Sequence, residues 1–237
     1  MKNEPLEIAV CGQHNNGGLK GNIWRESDLK HLFPVGEVNG SHDVHRAGGS
    51  SLNSGQVGSY RAALYICKRY NKKPADFESF LRKAKYQVEK RLKLANRWKS
   101  SERRIKNLEF LADIRHRMSE TAGIIHNKEK TDLAVKEAYA LLKQVHKEIA
   151  ASTVKELARG FLLMDHCLIH YIYLEAVKYY LESGGRSRGS FLVTDPKGIK
   201  PVNNLESKWR YSLYNYNRDI EKDIIEIRLK NTKVEKL

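Results

Sequence analysis

The sequence predicts an α+β protein that is mainly α, in which a short segment of strands and Gly-rich loops precedes an antiparallel helical bundle. Glycine usage supports this division, because ten of the 16 glycines lie in the first 58 residues. Short apolar runs there end in glycine turns, which is typical of strands and of loops that approach a ligand closely. After residue 58 the apolar residues recur with a helical period.

The helices follow in order along the chain. A first helix begins near Leu52, Pro74 interrupts the chain, and Asp76 is placed to cap the next helix. Apolar residues then step by three or four along one stripe of a long amphipathic helix: Phe77, Leu81, Ala84, Val88, Leu92 and Ala95. Similar stripes predict helices around 105–118 and 134–149. Residues 154–181 are apolar on more than one face and predict the most buried helix.

Gly184 and Gly185 end the predicted bundle, and residues 191–193 are a short strand or part of an extended arm. We therefore divide the chain into residues 1–72, residues 73–183 as the bundle, and residues 184–237 as a C-terminal extended arm.

Composition excludes several classes of protein. A hydrophobic fraction of 41% over 237 residues can fill a core, which excludes disorder of the whole chain. No apolar run is long enough to span a membrane, and the first residues lack the layout of a secretion signal, so we expect a soluble cytoplasmic protein. The three cysteines, Cys11, Cys67 and Cys167, have no metal-ligand spacing and argue against a disulfide scaffold.

Most chemistry-bearing residues lie in three early segments: QHNNGG (13–18), LFPVGEV (32–38) and HDVHRAGGSSL (42–52). A strand that ends at Gly36 and Glu37 presents a carboxylate that can accept from a ribose hydroxyl. A Gly-Gly-Ser-Ser turn leading into a helix supplies unpaired backbone N–H groups and the positive end of the helix dipole. Such a helix start suits an electron-rich ligand oxygen.

The order of these segments resembles the end of the FAD-binding domain in the fumarate reductase, succinate dehydrogenase and L-aspartate oxidase flavoproteins. RMSETAGII (117–125) and SRG (187–189) resemble parts of that family's C-terminal helical domain. The resemblance covers nearly the whole chain and weakens after about residue 200. It implies an FAD-dependent oxidoreductase, in which residues 1–72 are the C-terminal part of a Rossmann-like FAD-binding domain and keep only a remnant of its strands.

The resemblance implies a role for each matching residue. Glu37 matches the ribose-binding glutamate, and Ser51 and Leu52 match the helix start that faces the pyrimidine edge of the flavin. Arg46 matches the arginine that holds a carboxylate of a small substrate, for which a planar bidentate donor is suited. The remaining candidates are Gly17, Gly18, Gly36 and Arg46 for the cofactor, and His14 and His42 for catalysis. We expect no metal.

The resemblance also implies that this chain is the C-terminal piece of a larger flavoprotein. In that family the GxGxxG motif and a capping domain precede this segment. We therefore expect the chain to be inactive alone and to need an N-terminal flavoprotein half, or an electron-transfer subunit, as a partner.

Other interpretations remain open from the residues alone. The stretch from Lys68 to Arg117 holds 17 basic and six acidic residues, which leaves open a non-catalytic helical protein that binds nucleic acid or an acidic partner. A solvated helical face that meets an acidic partner or nothing specific is the favoured interpretation of this charge. An inactive truncated fragment is a further alternative. Single residues also have an alternative interpretation: Glu37 would be an ordinary strand-end carboxylate, Arg46 would pair with Asp43, and His14 would cap a turn.

Two motifs elsewhere also allow two interpretations. His166 and His170 stand four apart and either clamp a metal or pack in a buried helix; the absence of a third ligand favours packing. Residues 184–189 (GGRSRG) either cradle a phosphate or stop the helix, and the helix stop is favoured.

Overall fold

The computed structural model describes residues 17–40, 50–101, 107–188, 191–213, 224–230 and 233–236. The chain divides into two compact units, Met1–Lys73 and Pro74–Leu237. The described residues are mainly helical, as the sequence predicted.

The first unit combines a looping segment, residues 17–40, with helix α1 (Ser50–Arg69), which begins two residues before the expected start. Within the segment, Leu19 pairs in parallel with Asn39: its N–H donates to the Val38 carbonyl (2.8 Å), and its carbonyl accepts from Gly40 N–H (2.9 Å). The prediction of a strand that ends at Gly36 and Glu37 is wrong: residues 32–35 form no strand, and Gly36–Val38 is a 3-10 turn. The remnant of a Rossmann-like domain therefore stays a prediction.

The described residues of the second unit form four long helices: α2 (Phe77–Lys99), α3 (Asn107–Thr121), α4 (Lys128–Glu148) and α5 (Val154–Glu182). Asp76 caps α2 as predicted, because its carboxylate accepts from Ser79 N–H at 2.8 Å. A capping box of Thr153 and Glu156 starts α5. The antiparallel arrangement of these helices stays a prediction.

Helix α5 holds more buried residues than any other described helix, as its apolar composition predicted, and packs against α3 and α4. One core cluster joins Trp98 at the end of α2 to the buried residues Ile114, Val145, Ile149, Ala151, Leu163 and Cys167. Gly160 makes this packing possible, since a Cβ there would lie 2.8 Å from Ile149 Cγ2 and 3.1 Å from Trp98 Cζ3.

Helix α2 departs from the expectation that its apolar stripe is buried. Phe77, Leu81, Val88 and Leu92 are between 43% and 69% exposed. The reason is that α2 meets the core through its C-terminal end, where Leu94 and Trp98 pack.

Two short sheets complete the unit. Strand β1 (Ile125–His126) pairs in parallel with β2 (Leu192–Ile199). Of the predicted strand at residues 191–193, Leu192 and Val193 lie in β2, while Phe191 forms an isolated bridge with Arg188. Strands β3 (Ile227–Lys230) and β4 (Lys233–Lys236) form an antiparallel hairpin whose Leu229 and Val234 pack on the helical core. Across the described residues, no helix has the length and apolar character needed to cross a membrane.

Candidate functional site

Six of the predicted site residues lie in the described part of the first unit: Gly17, Gly18, Gly36, Glu37, Ser51 and Leu52. The catalytic candidates His14, His42 and Arg46 lie outside the described residues, and so does Asp43.

The structure brings the Glu37 turn against helix α1. Gly36 has a φ of +81°, which favours glycine, and a Cβ on Gly55 would lie 3.4 Å from Gly36 Cα. Ser51 lies one helical turn before Gly55 on the same face of α1. The two predicted halves of the flavin site, the carboxylate turn and the helix start, are therefore neighbours in space.

The start of α1 is suited to an electron-rich group. Its first turn holds no acidic residue, while Lys68 and Arg69 stand in the last turn. The positive end of the helix dipole is therefore not neutralised by a first-turn carboxylate. Ser51 is half-buried and Leu52 is 74% exposed.

Gly18 has a structural reason to be glycine. A Cβ on Gly18 would lie 2.4 Å from the Val38 carbonyl oxygen and 2.9 Å from Gly40 N. The close parallel pairing of the backbone around Leu19 with that around Asn39 requires that space. The absence of a side chain on Gly18 thus allows the close approach of the segment directly after Glu37. Gly17 and Gly18 are both exposed.

Arg25 is a supporting residue that the sequence analysis missed. Its Nη1 donates to Asn39 Oδ1 at 2.7 Å, and its Nε would lie 3.0 Å from a Cβ on Gly58 of α1. The guanidinium therefore links the segment after Glu37 to the helix. Its φ of +66° is unusual for a residue with a side chain, and no local sequence signal indicated it.

Glu26 is a second residue that the sequence analysis missed. Its side chain is buried and accepts a hydrogen bond from the Tyr70 hydroxyl, and Lys30 Nζ lies 3.6 Å away. The hydrogen bond from Tyr70 lowers the pKa of Glu26 below its ordinary value. The Tyr70 ring itself belongs to an aromatic cluster with His31, Phe33 and Tyr65, and Trp24 stacks on Tyr65.

We expect Tyr70→Phe to destabilise the first unit, because the buried Glu26 carboxylate loses its main hydrogen-bond donor. A carboxyl whose folded pKa is depressed adds stability above its unfolded pKa and loses it as the pH falls. At pH 7 the variant should therefore unfold at a lower urea concentration than the parent chain. On acidification it should lose less stability than the parent chain does. Tyr60→Phe, on the exposed side of α1, is the matched control and should unfold like the parent chain.

The two remaining motifs, at His166 and His170 and at residues 184–189, lie in and directly after α5. His170 is buried in α5 beside the core, while His166 is half-exposed with Nδ1 2.7 Å from the Leu162 carbonyl oxygen. At the end of α5, Gly184 adopts a φ of +81°, and the Tyr180 hydroxyl donates to the Arg186 carbonyl and accepts from its N–H. Residues 184–186 thus form a helix stop tied to Tyr180.

Comparison with known proteins identifies the relatives of this chain. No protein-family model matches it. The chain is 38% identical over 69 residues to a subunit of the fumarate reductase (CoM/CoB) of Methanothermobacter marburgensis. This confirms the predicted resemblance to the fumarate reductase/succinate dehydrogenase flavoproteins. The aligned part is 29% of this chain and 13% of the Methanothermobacter protein.

The fold agrees with that family. A mutant form of FrdA from E. coli quinol fumarate reductase superposes with a TM-score of 0.55 at 20% sequence identity. The match covers 81% of this chain and 33% of FrdA. The chain therefore shares the fold of one part of a flavoprotein of this kind and spans a third or less of the relatives it matches.

Proposed function

We propose that this chain is the C-terminal part of an FAD-dependent oxidoreductase and contributes one side of the flavin site. The observation that carries the proposal is the contact between Gly36 and Gly55, which sets the Glu37 turn beside the first turns of α1. Both features match the family motif, and the similarity to fumarate reductase proteins supports their joint role.

The described residues fit FAD chemically. When bound, FAD would accept or donate a hydride. Glu37 would accept from a ribose hydroxyl, and the backbone N–H groups at Ser51 and Leu52 would face the pyrimidine edge of the ring, where the α1 dipole favours negative charge. Gly18 and Arg25 would position the chain around Glu37 through their contacts with residues 38–40.

The substrate in this proposal is a small carboxylate. Arg46 would hold its carboxylate through two parallel hydrogen bonds, and His42 and His14 would lie in the same substrate site. An N-terminal flavoprotein half or an electron-transfer subunit would supply the remaining parts, and the assembled enzyme would act in the cytoplasm. These assignments rest on the resemblance of residues 13–52.

The chain alone should not retain flavin. A few hydrogen bonds of about 1 kcal/mol each, or up to about 3 kcal/mol for charged ones, do not offset the several kcal/mol lost in immobilising FAD. We expect the purified chain to be colourless and to lack oxidoreductase activity. Mixing it with a cognate N-terminal half should give the yellow flavin absorbance.

Glu37→Ala should weaken flavin retention in that mixture by about tenfold to a hundredfold, because a charge-assisted hydrogen bond is lost. Titration of FAD into the assembled protein, followed by flavin fluorescence, measures the effect. Glu206→Ala and Lys93→Ala remove exposed charges elsewhere and should leave the affinity unchanged. Copurification of stoichiometric FAD with the isolated chain would contradict the proposal, as would unaltered affinity in Glu37→Ala.

A further inference from the structure

The exposed face of helix α2 holds an apolar row that the core does not cover. The row consists of Phe77, Phe80, Leu81, Val88 and Leu92, and these side chains are between 43% and 69% exposed. At 3.6 residues per turn they occupy a sector of roughly 120° and a length of about 22 Å. We call this set the α2 row.

The rest of α2 is strongly basic. The helix holds eight exposed cationic residues against two acidic ones, Glu78 and Glu89; the cations are Arg82, Lys83, Lys85, Lys90, Arg91, Lys93, Arg97 and Lys99. Glu89 Oε1 is 3.9 Å from Lys85 Nζ, so one of the two acidic residues is already paired within the helix. Any surface that covers the α2 row therefore meets a positive field.

We propose that the α2 row binds an anionic lipid surface, with the helix lying in the plane of the headgroups. Five of the eight cations lie on the side of α2 away from the α2 row: Arg82, Lys83, Lys90, Lys93 and Arg97. Lys85 flanks the row, and Arg91 and Lys99 lie within its sector. A helix with bulky apolar side chains on one face and most of its Lys and Arg on the other has the pattern of interfacial membrane helices.

The contacts of α2 with the core are at Leu94, Trp98 and Arg91, whose guanidinium carbon lies 5.6 Å from the centroid of the Phe161 ring. The Phe77–Val88 portion is therefore the part most available to a flat partner.

The positive charge of α2 and the width of the α2 row favour an anionic lipid surface over three other partners. A second copy of the chain is disfavoured, because two chains of net charge +15 would bring like charges together. Nucleic acid would use the cations and leave the α2 row without a role. A single acidic helix would cover a narrow seam of two positions in seven, which is less than the sector the α2 row occupies. An anionic bilayer uses both the apolar side chains and the cations.

The test is flotation of the full chain with vesicles. We expect binding to vesicles of phosphatidylcholine with about 30 mol % phosphatidylglycerol, and much weaker binding to phosphatidylcholine alone. Binding should weaken as salt is raised, because the electrostatic attraction is screened. Equal binding to neutral and anionic vesicles, or no binding to either, would overturn the proposal.

Two matched substitutions locate the surface. Leu92→Asp in the α2 row should reduce vesicle binding by at least about tenfold, since it places a charge at the apolar contact. Leu162→Asp on α5 introduces the same charge at a similarly exposed leucine, 52% against 56%, and should leave binding unchanged. Circular dichroism of both variants checks that the helices remain folded. Equal losses of vesicle binding in both variants would contradict the assignment. It would also be contradicted if the chain bound an acidic protein or duplex DNA through the α2 row and did not bind vesicles.

Discussion

Trp98→Ala should lower the free energy of unfolding of the helical unit by about 3–5 kcal/mol, the range for removing a large buried aromatic side chain. Trp98 is 1% exposed, and its ring lies 4.7 Å from that of Phe161 between centroids. Its Nε1 donates to the His146 carbonyl at 2.9 Å, and its own carbonyl accepts from Ala151 N–H at 3.1 Å. The side chain thus joins α2, the end of α4 and α5.

Urea unfolding followed by circular dichroism measures the loss, and limited proteolysis of α2 reports whether the helix detaches. Tyr86→Ala removes an aromatic ring that is 72% exposed on the same helix, and should change stability by less than about 0.5 kcal/mol. Trp98→Phe keeps much of the packing but loses the indole N–H, so a smaller loss of about 1–3 kcal/mol is expected. A Trp98→Ala protein as stable as the parent would show that α2 does not depend on this contact.

Acidification should destabilise the helical unit through His170. The side chain is 2% exposed, and neither ring nitrogen has a hydrogen-bond partner among the described residues. Burial, with a smaller contribution from the Arg117 charge, lowers the pKa of His170 to about 4. Glu137, which pairs with Arg117 at 2.8 Å, opposes this shift in part.

The direction follows from proton binding in the two states. The unfolded chain protonates His170 near pH 6.5, whereas the folded chain resists protonation until about pH 4. The stability is therefore complete above about pH 6.5 and falls as the pH drops towards 4, by about 2–3 kcal/mol in total. His126 is also buried, and its lowered pKa acts in the same direction.

His170→Leu should flatten this pH dependence, because it removes the group that gains a proton on unfolding. Chemical unfolding at several values between pH 4 and pH 7 measures the slope. His166→Leu, four residues earlier on the same helix and half-exposed, should keep the slope of the parent chain. If the parent chain were equally stable at pH 4.5 and pH 7, the conclusion that the folded chain buries His170 in its neutral form would be wrong.

Local signals in the sequence determined much of this protein. The helical period located α2, Asp76 marked its start, and the glycine pair at 184 and 185 marked the end of α5. Each depends on residues within a few positions of one another, so a single sequence suffices to detect it. The ordered motifs between residues 13 and 52 likewise indicated the flavoprotein family through residue identity and spacing alone.

Only the tertiary structure decided which faces are covered and which distant residues meet. The period of α2 showed an apolar face, yet Leu92 is exposed while Trp98 is buried, because coverage depends on what packs there. Glu26 meets Tyr70 across 44 positions, and β1 pairs with β2 after two intervening helices. The approach of Gly36 to Gly55, which joins the two halves of the proposed flavin site, is likewise non-local. A local sequence pattern shows whether a helix face is apolar or polar. Which distant residues pack on that face depends on the path of the whole chain.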